Sequence, residues 1–342
     1  MTALKPIHLA TRGSALALAQ SNLILNQCRA AFPQFSFELK IIKTTGDKLQ
    51  SPSLAQTQAA QSLPKGLFTK ELEAALLDGT ADLAVHSLKD LPTELPTGLK
   101  LGGVGGKRED VRDVLIYRDA AFAGNSKFQI PSSNSEDRRG YAPALEIKDL
   151  PGGAVVATSS TRRKAQLLAQ NSGLKVPDIR GNVLTRLQKL AENPELDATV
   201  LALAGITRLG YRIASDGKLE GADVPPGLLA TVLEPEIMLP CVGQGALGIE
   251  IRENDERLAA ICETLNDFET LQCVIAERAF LSGMGGGCQS PVGAHAEIAG
   301  DQIRMRVISF MGEKVRRAEA AQPIGKAAEL GKELASQVKS AL

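Results

Sequence analysis

Residues 154–170 read AVVATSSTRRKAQLLAQ, and residues 7–20 read IHLATRGSALALAQ. Both run from an apolar strand through Ala-Thr, with Ser and Arg following, into an Ala/Leu/Gln stretch of helical character. A strand–turn–helix unit present twice predicts two α/β halves. In each half the turn offers backbone N–H groups and the positive end of a helix dipole, and Ser, Thr and Arg at that turn favour an anion.

The surrounding sequence extends this pattern. ELEAALLDG (71–79) is an amphipathic helix stopped by Gly79, and the buried strand ADLAVHSL follows it. Helix and strand recur after residue 181, in GNVLTRLQKLAE and ATVLALAG. Open α/β sheets bind ligands beyond the carboxyl ends of their strands, so two such domains are expected to face each other across a cleft. The last part of the chain differs. A helix ending near Gly283 is expected to carry Phe268, Leu271, Ile275 and Ala279 on one face, with Asn266 and Glu269 as its capping pair. The alternating runs VGAHAEI, QIRMRVISF and KVRRAEA and a final helix then predict a small α+β domain. Two polar stretches, 47–64 and 119–148, read as mobile surface insertions.

At 342 residues the chain has room for two or three domains. Its 39 Lys+Arg balance 39 Asp+Glu, so no global field directs it to nucleic acid or an anionic membrane, and any anion site is local. The start lacks a charged segment followed by a long apolar run, and no stretch approaches the length of a membrane span. A cytoplasmic protein is expected. The five cysteines, Cys28, Cys241, Cys262, Cys273 and Cys288, are odd in number and include no C-x-x-C spacing, which argues against a disulfide framework and a thiolate metal site. Cys28, Cys262 and Cys273 fall in helical patterns and are expected in cores. Cys288, within GGGCQSP (285–291), has neighbours too small to bury it and is expected to be presented to a ligand.

VHSLKDLP (85–92) places His86, Ser87, Lys89 and Asp90 at the end of an apolar strand. Strand alternation turns Ser87 away from His86 and Asp90, which argues against a Ser-His-Asp relay. A carboxylate beside Lys89 suits general acid/base work or the binding of a cationic nitrogen; a solvated loop aspartate is the alternative. Arg12, Arg162, Arg163, Arg180, Arg186 and Arg208 gather near strand ends, and guanidinium forks there point to a ligand with several carboxylates or phosphates. Gly243, Gly245 and Gly248 match G-x-G-x-x-G, but LGIEIR follows as an alternating strand where a dinucleotide site needs a helix. Pairing of Cys288 with His295 or His86 as a thiol protease lacks an oxyanion loop.

The ordered set ATRGS, TTGD, KGLFTKELE, DLAVHSLKDLP, ATSSTRRKAQL, IRGNVLTRL, AGITRLG, VGQGALGIE, AERAF and GGCQSP resembles the porphobilinogen deaminase, or hydroxymethylbilane synthase, family over nearly the whole chain. The resemblance implies two α/β domains of periplasmic-binding-protein type II around a cleft plus a C-terminal α+β domain. Their expected bounds are 1–104 with 246–263, 105–245 with the insertion at 119–148, and 264–342. It implies a dipyrromethane cofactor held by a thioether to Cys288, and Asp90 as the catalytic group. The reaction implied by the resemblance starts with loss of ammonia from porphobilinogen to give an azafulvene; the free α-carbon of the terminal cofactor pyrrole attacks it, a proton leaves, and four rounds build a linear tetrapyrrole, hydroxymethylbilane. Cofactor and substrate carboxylates are assigned by resemblance to Arg12, Ser14, Ser87, Lys89, Thr158, Ser159, Ser160, Arg162, Arg163, Arg180, Arg186 and Arg208. Lys65 and Phe68 are lid candidates, and residues 47–64 are expected to close over the site. The implied partner is porphobilinogen, with no nucleic acid, membrane or metal, and the chain is expected to act as a monomer in tetrapyrrole and heme biosynthesis. Three departures stand out: MGGGC where the family has an acidic residue at 285, a longer 47–64 segment, and the insertion at 119–148. A non-catalytic polycarboxylate-binding protein is the alternative reading of the same paired domains.

Overall fold

The computed structural model of the protein describes residues 5–45, 69–123, 139–287 and 289–340. Two compact units make up the chain: Met1–Glu109, Cys241–Cys288 and Ala294–Leu342 form one, and Asp110–Pro240 with Gln289–Gly293 form the other. The chain therefore leaves the first unit after Glu109 and re-enters it at Cys241, whereas the sequence places these passages at 104/105 and 245/246. A hydrogen bond from Glu109 N to Gly245 O (3.2 Å) ties both strands of the passage into the first unit. Of the stretch 264–342, expected as a third domain, residues 264–288 and 294–342 group with that same unit and Gln289–Gly293 with the other.

The first unit is built on a five-stranded sheet of β1 (Ile7–Arg12), β2 (Phe37–Ile42), β3 (Leu83–Ser87), β4 (Leu99–Val104) and β11 (Leu247–Arg252), in the order β2-β1-β3-β11-β4. β1 runs parallel to β2 and β3, and β11 runs antiparallel to β3 and β4. The glycine-rich G-x-G-x-x-G run thus leads into a strand, as its alternation requires, with Gly243 and Gly245 at φ +72° and +85°. Strand alternation divides the core. Ile7, Leu9, Ile249 and Ile251 pack with Ile24, Leu25 and Cys28 of α1 (Ala15–Ala31) and Ile261 and Cys262 of α6 (Glu256–Leu265). Ala10 and Ala84, displaced by one residue, face Leu72 and Leu76 of α2 (Lys70–Leu77). Gly79 at φ +73° follows the end of α2, where the left-handed conformation favours glycine.

The second unit carries the sheet β10-β5-β7-β6, formed by β5 (Asp113–Arg118), β6 (Val156–Ala157), β7 (Ala198–Ala202) and β10 (Leu228–Leu233). In this sheet β6 and β7 pair in parallel, and β5 is antiparallel to both its neighbours. The unit also carries the helices α3 (Thr161–Gln170), α4 (Val183–Glu192) and α5 (Leu203–Arg208) and the short hairpin β8 (Arg212–Ile213) with β9 (Leu219–Glu220). Residues 139–148 correct the expectation of a surface insertion. Leu145 and Ile147 are buried in the core, and Tyr141 Oη donates to Asp197 Oδ1 at 3.0 Å. The polar run that precedes them masks this apolar content; residues 124–138 lie outside the described residues.

The C-terminal part contains α7 (Phe268–Gly283), the three-stranded sheet of β12 (Val292–Ala299), β13 (Gln302–Ser309) and β14 (Arg316–Pro323), and α8 (Ala327–Ser340). α7 and α8 approach so closely that a Cβ on Gly331 would lie 2.1 Å from Ala276 O. The expected cap of α7 is corrected: Asp267 is its N-cap, accepting from Thr270 N, while Asn266 ends α6 and accepts from Val104 N through Oδ1. The expected face is corrected as well. Phe268 is 59% exposed, and Thr270, Cys273, Val274, Ala276, Glu277, Phe280 and Leu281 are the buried residues. A helix packed on several sides has no single apolar stripe to read. Burial pushes the Cys28 thiol up to about 11 and those of Cys262 and Cys273 to about 12, consistent with inert core thiols. Among the described residues no helix is long and apolar enough to cross a membrane.

Candidate active site

In the first unit the parallel pair β1 and β3 ends in two turns on one edge of the sheet. After β1, the half-buried Arg12 precedes Ser14, whose Oγ caps α1 by accepting from Ala17 N at 3.3 Å. Buried Thr11 braces this turn, accepting from Ser21 Oγ at 2.7 Å. After β3, the half-buried Ser87 is gripped by Gln20: Gln20 Nε2 donates to Ser87 Oγ at 2.8 Å, and Ser87 Oγ lies 3.1 Å from Gln20 Oε1. A single 3-10 turn, Leu88–Asp90, then carries half-buried Lys89 and exposed Asp90 between buried Leu88 and Leu91. Apolar flanks sink the turn's ends while its charged centre stays in solvent.

His86 takes no part in this edge. Its imidazole is buried against Glu250 of β11, and Glu73 of α2 interacts electrostatically with both. Burial raises the Glu73 carboxyl above its ordinary value, and neighbouring Glu250 adds to the rise.

In the second unit the repeat places Thr158, Ser159 and Ser160 between β6 and α3. Thr158 is buried and its Oγ1 accepts from Ser160 N at 3.2 Å; Ser159 Oγ donates to Ile179 O at 2.9 Å; Ser160 caps α3 by accepting from Arg163 N. Arg162 and Arg163 point inward. Both guanidiniums meet Asp113, Arg162 Nη2 at 2.8 Å from Oδ2 and Arg163 Nη2 at 2.7 Å from Oδ1. Arg162 also donates to Leu239 O and Arg163 to Val200 O. Burial alone would raise the Asp113 carboxyl, but the two guanidiniums hold it well below the usual carboxylate range.

The remaining cations are more open. Arg180 is exposed and lines a groove of about 750 Å³ together with Arg139, Lys175 and Lys189. Arg186 is half-buried in α4 and donates through Nε to Gly181 O at 2.9 Å. There the chain needs glycine: Gly181 has φ +118°, and its Cβ would lie 2.7 Å from Thr185. Arg208 is half-buried in the last turn of α5. The two units thus each present hydroxyls and cations at a strand-to-helix turn, a donor set suited to carboxylates. Residues 47–64, Lys65, Phe68 and Cys288 lie outside the described residues.

Several supporting residues are not singled out by the sequence reading: Gln20, Asp113, Gln166, Glu277 and Arg278. Two had a signal. Gln20 and Gln166 each stand six positions after an N-cap serine, Ser14 and Ser160, and both are buried. Gln166 exchanges two hydrogen bonds with the Leu239 backbone, as Gln20 does with Ser87.

Residues 7–260 match the family model described as "Porphobilinogen deaminase, dipyromethane cofactor binding domain", and residues 271–340 match "Porphobilinogen deaminase, C-terminal domain". Over 340 residues the chain is 41% identical to the porphobilinogen deaminase of Maridesulfovibrio salexigens, covering 99% of this chain and 96% of that one. Identity to the Thermus thermophilus porphobilinogen deaminase is 40% over 338 residues, covering 98% of this chain and 96% of the relative. Among solved structures, the BenM effector binding domain with its effector benzoate aligns at a TM-score of 0.39 and 14% identity, covering 77% of this chain and 91% of that chain.

Proposed function

Because the chain belongs to the porphobilinogen deaminase family, with that family's deaminase activity and dipyrromethane-cofactor-binding domain, we propose that Asp90 is the carboxylate that performs its acid/base step. The observation that carries this reading is the Leu88–Asp90 turn, which presents Asp90 to solvent beside Lys89 at the same sheet edge as Arg12 and Ser14. A fixed carboxylate there can take and return a proton at a pyrrole N–H and offset positive charge as ammonia departs.

The chemistry of the donor set fits a group that carries acetate and propionate chains. Arg12, Ser14, Ser87 and Lys89 on the first unit, and Ser159, Ser160, Arg180, Arg186 and Arg208 on the second, supply the cations and hydroxyls for cofactor and substrate carboxylates. Thr158, Arg162 and Arg163 are buried, and we assign them to shaping the turn that Ser159 and Ser160 occupy. When bound, dipyrromethane supplies a nucleophilic pyrrole carbon. Cys288 is its attachment point on the strength of its glycine-flanked sequence, GGGCQSP, and the family resemblance. Four porphobilinogen molecules are joined head to tail in this reading, and hydroxymethylbilane is released by a monomeric, cytoplasmic enzyme.

Three samples test it: wild type, Cys288→Ala and Asp90→Asn. The wild type should show the added mass of a dipyrromethane and an Ehrlich-type colour; Cys288→Ala should show neither. Asp90→Asn should remain folded, since Asp90 is exposed, and lose about 10²–10⁴-fold in kcat. Near-normal turnover by Asp90→Asn with cofactor attached would remove Asp90 from the acid/base role.

A further inference from the structure

A single 3-10 turn is poorly self-supporting, and in Leu88–Asp90 the bond from Leu91 N to Leu88 O, at 3.1 Å, closes its far end. Its position has to be set by what surrounds it. α7 supplies three residues spaced i, i+3, i+4, which share one helix face: Val274, Glu277 and Arg278. Val274 packs with Leu88, Leu91, Val104 and Ala246. Glu277, fully buried, is held in a fork by Arg108 at 2.7 and 2.9 Å, and its Oε2 accepts from Gly243 N at 2.8 Å. Gly243 in turn lies so close to the turn that a Cβ would sit 3.2 Å from Leu88 C and from Lys89 N. Arg278 holds the other side. Its guanidinium donates to three successive carbonyls after Asp90: Leu91 at 3.1 Å, Pro92 at 2.6 Å and Thr93 at 3.4 Å.

We propose that Arg278 is a positioning residue for Asp90, fixing the backbone that follows it so that the carboxylate meets the reacting pyrrole in one orientation. This rests on the reading of Asp90 as the acid/base group. The planar guanidinium fork is suited to several carbonyls at once, where a lysine offers a compact charge. Leu88 N, donating to Ala246 O at 3.0 Å, fixes the near end, so loss of Arg278 frees the far end of the turn. A misplacement of about 1 Å at a reacting group can cost about 10²-fold in rate.

The test compares Arg278→Ala, Arg278→Lys, Asp90→Asn and the double variant Arg278→Ala/Asp90→Asn, each purified with its cofactor content measured by Ehrlich colour. Arg278→Ala should lose about 10- to 100-fold in kcat, with KM for porphobilinogen changed by less than about twofold and cofactor content unchanged. Amide hydrogen exchange should quicken across residues 88–94 and not across the β1–β3 sheet. Guanidinium ion, added at non-denaturing concentration, should restore part of the rate in Arg278→Ala and none in Arg278→Lys. The double variant should be as slow as Asp90→Asn alone, because the two residues act as one unit. If Arg278→Ala does not fold, Arg278→Lys decides: slower turnover with an unchanged melting temperature supports the inference, and normal turnover overturns it. A slow Asp90→Asn beside a normal Arg278→Ala overturns the inference alone. Normal turnover by Asp90→Asn overturns the reading of Asp90 and this role with it, while the exchange data still report whether Arg278 holds the turn.

Discussion

His86 Nε2 lies 2.9 Å from Glu250 Oε2, with the two side chains 5% and 0% exposed. The pair joins β3 to β11, strands far apart in sequence, inside the first unit. It divides the segment VHSLKD into a structural histidine on β3 and a Lys89–Asp90 pair on the 3-10 turn that follows the strand.

His86→Ala should therefore destabilise the protein without touching the chemistry. Removing the imidazole leaves Glu250 Oε2 buried without this hydrogen-bond partner, a loss of about 1–3 kcal/mol for a buried polar group left unsatisfied. Urea unfolding should show the reduced midpoint, while the surviving folded fraction keeps the kcat of wild type. A lowered kcat at full cofactor occupancy would place His86 in the reaction.

Arg163 and Arg180 should separate in a similar way. Arg163 is buried and shares Asp113 with Arg162, so Arg163→Leu removes one of the two guanidiniums that neutralise a buried carboxylate and should lower the unfolding free energy by about 1–3 kcal/mol. Arg180 is exposed, so Arg180→Leu should change the melting temperature little and act on KM for porphobilinogen or on chain elongation. Equal thermal shifts in the two variants would contradict this division.

Asp113 makes a pH-dependent prediction. Its carboxyl is held well below the usual range by Arg162 and Arg163 despite its burial, so it stays ionised in the folded state after an unfolded aspartate has taken up a proton. Its stabilisation is fully present above the unfolded pKa of about 3.9 and is lost as pH falls from there toward the folded value. Stability measured from neutral pH downward should thus fall more steeply below about pH 4 in wild type than in Asp113→Asn. Parallel acid limbs would show that the carboxyl is not depressed.

Gly243→Ala should slow catalysis through the backbone. The residue has φ +72°, and the new methyl would press on Leu88 C and Lys89 N at 3.2 Å. A left-handed alanine costs about 1–2 kcal/mol, and the contact pushes directly on the turn that carries Asp90. A lower kcat with a modest fall in melting temperature is expected. A stability loss with an unchanged kcat would mean that the turn tolerates the displacement.

The strand–turn–helix repeat, the strand character of LGIEIR, the stop at Gly79 and the C-terminal strands were all legible in the sequence, because each rests on local periodicity or on the backbone freedom of glycine. The exposed Lys89–Asp90 turn was legible too, as charge following an apolar strand. Partners were not. That Arg162 and Arg163 point inward depends on Asp113, some fifty positions earlier and at the head of a strand that reads as apolar. That Asp267 and not Asn266 caps α7 depends on Val104, whose N–H captures the Asn266 side chain. The burial of Leu145 and Ile147 depends on a core assembled from β5, β6 and β7. Periodicity reports which face of an element is apolar, whereas the pairing of a buried charge is decided by which distant groups the packed chain brings within hydrogen-bonding distance, and only the tertiary structure carries that information.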